Sequence, residues 1–325
     1  MAAEFETGFF YKEPAWHGLG TVVDKVLTAE EAIKAAGLDW TVEMAPLYHR
    51  WDGKVTKLSD RVAVRRETDG AVLGVVTPGY RPIQNVDSFN FFDGVTASGA
   101  AKYHTAGSLR GGKIIWILAK LDQNGPLNIK GDQVDKYLLL KGSHDGSGAQ
   151  KMFFTGVRVV CMNTLQLAES GARSETFYAR HQGNVLSRME IAQKILGLSL
   201  KHFNRFQEIA IKLATDQLPP AQMPLLLNAA FGTSGAISAD QILDMNTIST
   251  RRKNEFEVVT ALFEGMGKGL DNPKIKGTKW AAYNAVVEYV DYHKKFHGEK
   301  GADNRLDSVW TSTIKNRAWN FVTKA

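Results

Sequence analysis

Two rhythms of apolar and polar positions divide this chain. As far as residue 185, short apolar runs recur at the two-residue spacing of half-buried strands and are broken by Gly- and Asp-containing turns. A capping-box pattern, Thr28 to Glu31, opens a helix that Gly37 closes. One hairpin is predicted from Thr41–Trp51 and Val55–Leu58 around Asp52-Gly53, and another from Arg61–Glu67 and Ala71–Val76 around Asp69-Gly70. A short helix at Val86–Val95 precedes strands at Lys102–Leu109 and Lys113–Leu121. Strands at Tyr137–Lys141 and Met152–Met162 flank a polar turn centred on His144, Asp145 and Gly146. A helix at Leu165–Ser170 and a strand at Glu175–His181 complete this part.

Beyond residue 185 the period becomes helical. Helices are predicted at Leu186–Ala214, Ala221–Ala230, Ala239–Asp244, Lys253–Phe263, Trp280–Phe296 and Thr313–Phe321. The fold class is therefore α+β: a β-hairpin-rich N-terminal sheet with packed helices, then a mainly helical C-terminal part. The expected domains are 1–185 and a basic, helical 186–325.

Composition narrows the class. With 44% hydrophobic and 23% charged residues, the chain has the make-up of a folded soluble protein. No apolar run reaches the roughly 20 residues that span a bilayer, so no membrane partner is expected. The acidic N-terminus lacks a signal-peptide pattern. The single cysteine, Cys161, fits a reducing compartment, and the cytoplasm is the expected location. Nearly all of the net charge of +6 falls in residues 186–325, which suggests a polyanionic partner.

The motifs give little support to an enzyme. There is no G-x-x-x-x-G-K-[ST] phosphate loop and no G-x-S-x-G elbow, and no cofactor is expected. His293 and His297 share a helical face, but two intervening lysines repel a divalent cation. His144, Asp145 and Cys161 form the one constellation suited to nucleophilic catalysis. Arg158 could activate the thiol, yet strand alternation sends residues 158 and 161 to opposite faces. Arg158 is better read as structural, paired in the core with Asp145 or another carboxylate, and Cys161 as a small buried hydrophobe.

Binding of a single strand needs cations for phosphates and aromatic faces for bases. Candidates for the backbone are Arg61, Arg65, Arg66, Arg110, Lys113, Lys151 and Arg180, with Lys274, Lys276 and Lys279 in a later connector. Tyr80, Tyr103 and Tyr178 are candidates for stacking.

Several strings carry a resemblance: PAWHGLGT from Pro14, LDWTVE from Leu38, AGSLRGG from Ala106, SHDG from Ser143, RVVCMNT from Arg158 and WAAYNAVVEY from Trp280. Together they resemble the phage- and plasmid-like proteins grouped under domain of unknown function 932. That resemblance implies carriage by a phage, prophage or plasmid, and supplies no catalytic residues. By analogy of setting, it points to the single-strand annealing proteins, which assemble as rings or filaments and need no ATP. The leading expectation is an ATP-independent, homo-oligomeric protein that binds or anneals single-stranded DNA beside host or phage recombination and replication proteins. The alternatives are an interaction factor without DNA affinity and an enzyme using His144, Asp145 and Cys161.

Overall fold

A computed structural model describes residues 5–12, 20–97, 99–148, 150–160, 164–165, 188–232, 249–295 and 312–324. Strands are β1 (Phe5–Tyr11), β2 (Thr21–Val23), β3 (Val42–Trp51), β4 (Lys54–Arg66), β5 (Val72–Val76), β6 (Ala101–Leu109), β7 (Ile114–Leu121), β8 (Leu127–Ile129), β9 (Asp132–Ser143), β10 (Lys151–Arg158) and β11 (Thr164–Leu165). Helices are α1 (Ala29–Ala35), α2 (Asn85–Ala97), α3 (Arg188–Leu213), α4 (Gln222–Phe231), α5 (Thr250–Ala261), α6 (Lys279–Glu288) and α7 (Thr313–Lys324). Strands dominate the first half and helices the second, so the fold is α+β as the periodicity indicated. Leu165, the first residue of the helix expected at 165–170, lies in β11, and the rest of that helix, the strand at 175–181, the helix at 239–244 and the domain boundary after 185 lie outside the described residues.

The chain folds into two compact units. The first comprises Met1–Gln123, Tyr137–Phe153 and Glu175–Leu198; the second comprises Asn124–Lys136, Phe154–Ser174 and Ser199–Ala325. Strands β9 and β10 and helix α3 each run from one unit into the other.

In the first unit, the main sheet has the order β10-β9-β7-β6-β1-β2, antiparallel where β1 meets β6 and β6 meets β7, and parallel between β1 and β2. The aromatic N-terminal segment, for which the periodicity predicts no element, is a sheet strand; its Phe9 and Phe10 are buried. It was hard to recognise because FETGFFY has no clean alternation of polar and apolar positions. Helices α1 and α2 lie against this sheet. Thr28 and Glu31 form the full reciprocal capping box, each satisfying a backbone N–H at the start of α1. Phe89 and Phe92 of α2 pack on Tyr103 of β6, and the core closes with Trp116, Leu138 and Leu139.

A smaller antiparallel sheet, β3-β4-β5, completes the unit. Two expected strands, Val55–Leu58 and Arg61–Glu67, are one continuous β4, but the pairing register with β3 breaks between Pro46 and Tyr48. The two segments read from the sequence therefore lie on either side of a register break in one strand.

The second unit is built on helices around an aromatic core. Phe206 stacks on Trp319 at 5.6 Å, and Tyr283 meets Trp319 edge-on at 5.1 Å. All residues of α6 are buried, which fits its apolar sequence, and it packs against α5 and α7. Each of α5 and α6 runs on into a π turn, Leu262–Met266 and Tyr289–His293. The hairpin β8–β9 and the pair β10–β11 belong to this unit.

Candidate nucleic-acid interface

The turn after β9 is a structural hub. Asn85, at the start of α2, donates through Nδ2 to the carbonyls of Leu38 and Trp40, at 3.0 and 3.2 Å. Its Oδ1 must then act as acceptor, so the 2.8 Å contact with His144 Nε2 fixes the proton on that nitrogen. The imidazole is 2% exposed and meets Trp40 edge-on at 5.3 Å. Burial pushes its pKa down to about 4, against a partial pull upwards from Asp145, so it is neutral at pH 7. Asp145 accepts from Ser143 Oγ at 2.5 Å and from the Ser147 N–H at 2.8 Å. Burial opposes its charge, but those bonds and the nearby Arg110 hold the carboxyl below its usual range. A Cβ on Gly74 of β5 would come within 2.5 Å of Asp145 Cα, so only glycine lets β5 and this turn approach. The same place gathers Tyr80, whose hydroxyl donates to Ser143 O at 3.3 Å, and Lys113, whose carbonyl accepts from the His144 N–H. These contacts give His144 and Asp145 architectural roles. Cys161, the third member of the catalytic constellation, lies outside the described residues.

Arg158 is fully buried, as expected, and its partner is Asp132 at 2.7 Å, not Asp145. The same Asp132 oxygen accepts from Trp280 Nε1 at 2.8 Å, and a second Arg158 nitrogen reaches Lys268 O at 3.4 Å. Arg158 thus ends β10 by tying it to β9 and to the loop before α6. β10 ends at Arg158, and the expected alternation from 158 to 161 falls on Cys161, outside the described residues.

Several expected phosphate contacts are committed within the fold. Arg66 is largely buried between Glu6 and Asp69, both at 2.6 Å, with its guanidinium 5.2 Å from the Trp40 ring. Arg65 pairs with Glu43 across the strands, and Arg61 lies 3.6 Å from Asp60. Two expectations are corrected. Tyr103 is 1% exposed and donates to Phe89 O, so no base can stack on it. Lys279 is a buried first residue of α6 and not a loop cation. Lys151, Lys274 and Lys276 are exposed, while Tyr178 and Arg180 lie outside the described residues.

Exposed cations and aromatics instead converge at the far end of β3 and β4. Tyr48, His49, Arg50 and Trp51 pair with Lys57, Thr56, Val55 and Lys54, closed by Asp52 and Gly53, both at positive φ (45° and 73°). That is the turn chemistry Asp-Gly provides. Every residue from Tyr48 to Lys57 is exposed. Trp51 is 77% exposed and Tyr48 57%. Among the described residues Arg50, Lys54 and Lys57 make no ion pair or side-chain hydrogen bond. This is a two-stranded arm with neither face covered. The turn is the hairpin expected at Asp52-Gly53, and LYHRWDGKVTKL places no apolar stripe on either face of it.

No described helix is long and apolar enough to cross a membrane, and no described group of three or more His, Cys, Asp or Glu residues is placed to hold a metal. A pocket of about 340 Å3 between α1, α2 and β6 has Lys102 on its wall, but that lysine pairs with Asp122 at 2.6 Å. Searches of curated proteins and of solved structures return no match. The family model described as "Domain of unknown function (DUF932)" matches residues 72–310, leaving the arm upstream of the matched region. Since that match covers more than half of the chain, the protein belongs to the DUF932 family.

Proposed function

We propose that this protein binds single-stranded nucleic acid, with DNA as the primary ligand, and does so without nucleotide hydrolysis. The observation that carries this reading is the β3–β4 arm, where three cations that make no ion pair or side-chain hydrogen bond among the described residues stand beside two exposed aromatic rings. Free ammonium and guanidinium groups can neutralise phosphates without first breaking an internal pair, and every base offers a face to Trp51 or Tyr48. Arg65 and Arg66, by contrast, are already spent on carboxylates. The resemblance to phage- and plasmid-like proteins suggests recombination or replication of a mobile element in the bacterial cytoplasm, with strand annealing by a homo-oligomer as the full activity.

A titration of labelled oligonucleotides at several salt concentrations tests this. Binding at micromolar concentration or tighter is expected, weakening steeply with salt. Neutralising Arg50, Lys54 and Lys57 together should flatten the slope of log K against log salt by about 2, at roughly 0.7 per lost phosphate contact. Absence of binding at low salt rejects the reading and leaves the arm as a protein-docking surface.

A further inference from the structure

The cross-strand register of the arm separates its binding groups into two sets. Residues directly opposite one another project to the same face of a ribbon, and successive residues to opposite faces. Tyr48 and Lys57 therefore share one face with Arg50 and Val55. His49 and Thr56 share the other with Trp51 and Lys54. Each face has at least one cation and one aromatic ring, and both are solvated. The ring with the greatest exposure, Trp51, is the last residue before the turn and forms the closing pair with Lys54. The single carboxylate on this stretch, Asp52, sits in the turn itself.

We propose that the arm is a junction wedge, a recognition element for nucleic acid at the point where a duplex opens into two single strands. This deepens the single-strand reading and rests on it. A surface for one strand needs cations on one side only, because a backbone tracking one face leaves the other unused. Back-to-back cationic faces suit two backbones diverging past a thin ribbon. Trp51, on the closing pair beside the turn, meets the last base pair, where a flat ring can stack on an exposed pair as it would on a base. Arg50 and Lys57 hold the phosphates of one departing strand, with Tyr48 beneath a base. Lys54 and His49 hold those of the other.

The test compares four DNA probes of equal label: a fork with two single-stranded tails, a duplex with one tail, a blunt duplex and the free single strand. The full-length protein should bind the fork about tenfold more tightly than the single strand, the gain expected from one added stacking contact. Trp51→Ala should remove that advantage. Arg50→Ala with Lys57→Ala, and separately His49→Ala with Lys54→Ala, should each bring the fork down to the level of the one-tailed duplex. Melting temperature should be unchanged in all three variants, since the altered side chains are solvated. Equal affinity for fork and single strand overturns the wedge while leaving single-strand binding intact. So does a blunt duplex bound as tightly as the fork, which would indicate reading of a duplex groove. Failure to bind any probe overturns both proposals.

Discussion

At the scale of single residues, His144 and Arg158 illustrate how burial sets a role. The His144 Nε2–H is committed to Asn85, so a second proton must go onto Nδ1 inside the core. Its folded pKa of about 4 lies below the ordinary value of 6.5. The unfolded state therefore binds more protons between those values, and this group's contribution is complete above pH 6.5 and lost as pH falls towards 4. Between pH 7.5 and pH 5 that loss is about 2 kcal/mol, from 1.36 kcal/mol per pKa unit. Denaturant unfolding at the two pH values should show a smaller difference in His144→Gln than in the parent; an equal difference would falsify the assignment. Arg158 is a buried guanidinium paired with Asp132. Asp132→Ala removes a buried carboxylate from that guanidinium and the acceptor of Trp280 Nε1, and should cost about 3–5 kcal/mol. Arg158→Met combined with Asp132→Asn, which keeps an acceptor for Trp280, should cost clearly less in the same unfolding measurement.

At the scale of elements, the β3–β4 hairpin behaves as two pieces. Near its base, Val42, Ala63 and Val64 are buried and anchor the sheet. Past the register break, Tyr48–Lys57 has no buried residue and contributes no core. Removing residues 48–51 and 54–57, so that Leu47 runs directly into Asp52-Gly53-Leu58, should change stability by less than about 1 kcal/mol. The same deletion should abolish most oligonucleotide affinity. A large loss of stability would show that the arm serves the fold. The hairpin was legible from Asp52-Gly53 and from the β-formers on either side of it. Its exposure was not, because Tyr48, Trp51 and Val55 are residue types that more often lie in a core.

At the scale of the whole molecule, the annealing component of the proposal requires assembly. Sedimentation with and without oligonucleotide should reveal a species larger than one chain; a monomer in both conditions would restrict the function to binding. What the sequence alone determined was local and periodic. The Thr28–Glu31 capping box, the Asp-Gly turns and the helical repeat after residue 185 are short-range signals, and they led to the α+β class and most element positions. Arg158 could be recognised as buried and paired because an isolated charge among valines is unfavourable in any fold. Tertiary structure decided which partner each charge found. It joined Arg158 to Asp132, and Arg66 to Glu6 sixty positions away, and left Arg50, Lys54 and Lys57 without an ion pair among the described residues. Ion pairing and exposure depend on which distant strands become neighbours, and no local pattern records that. The candidate interface therefore shifted from the paired arginines of the sheet to an arm whose residues had looked like ordinary strand.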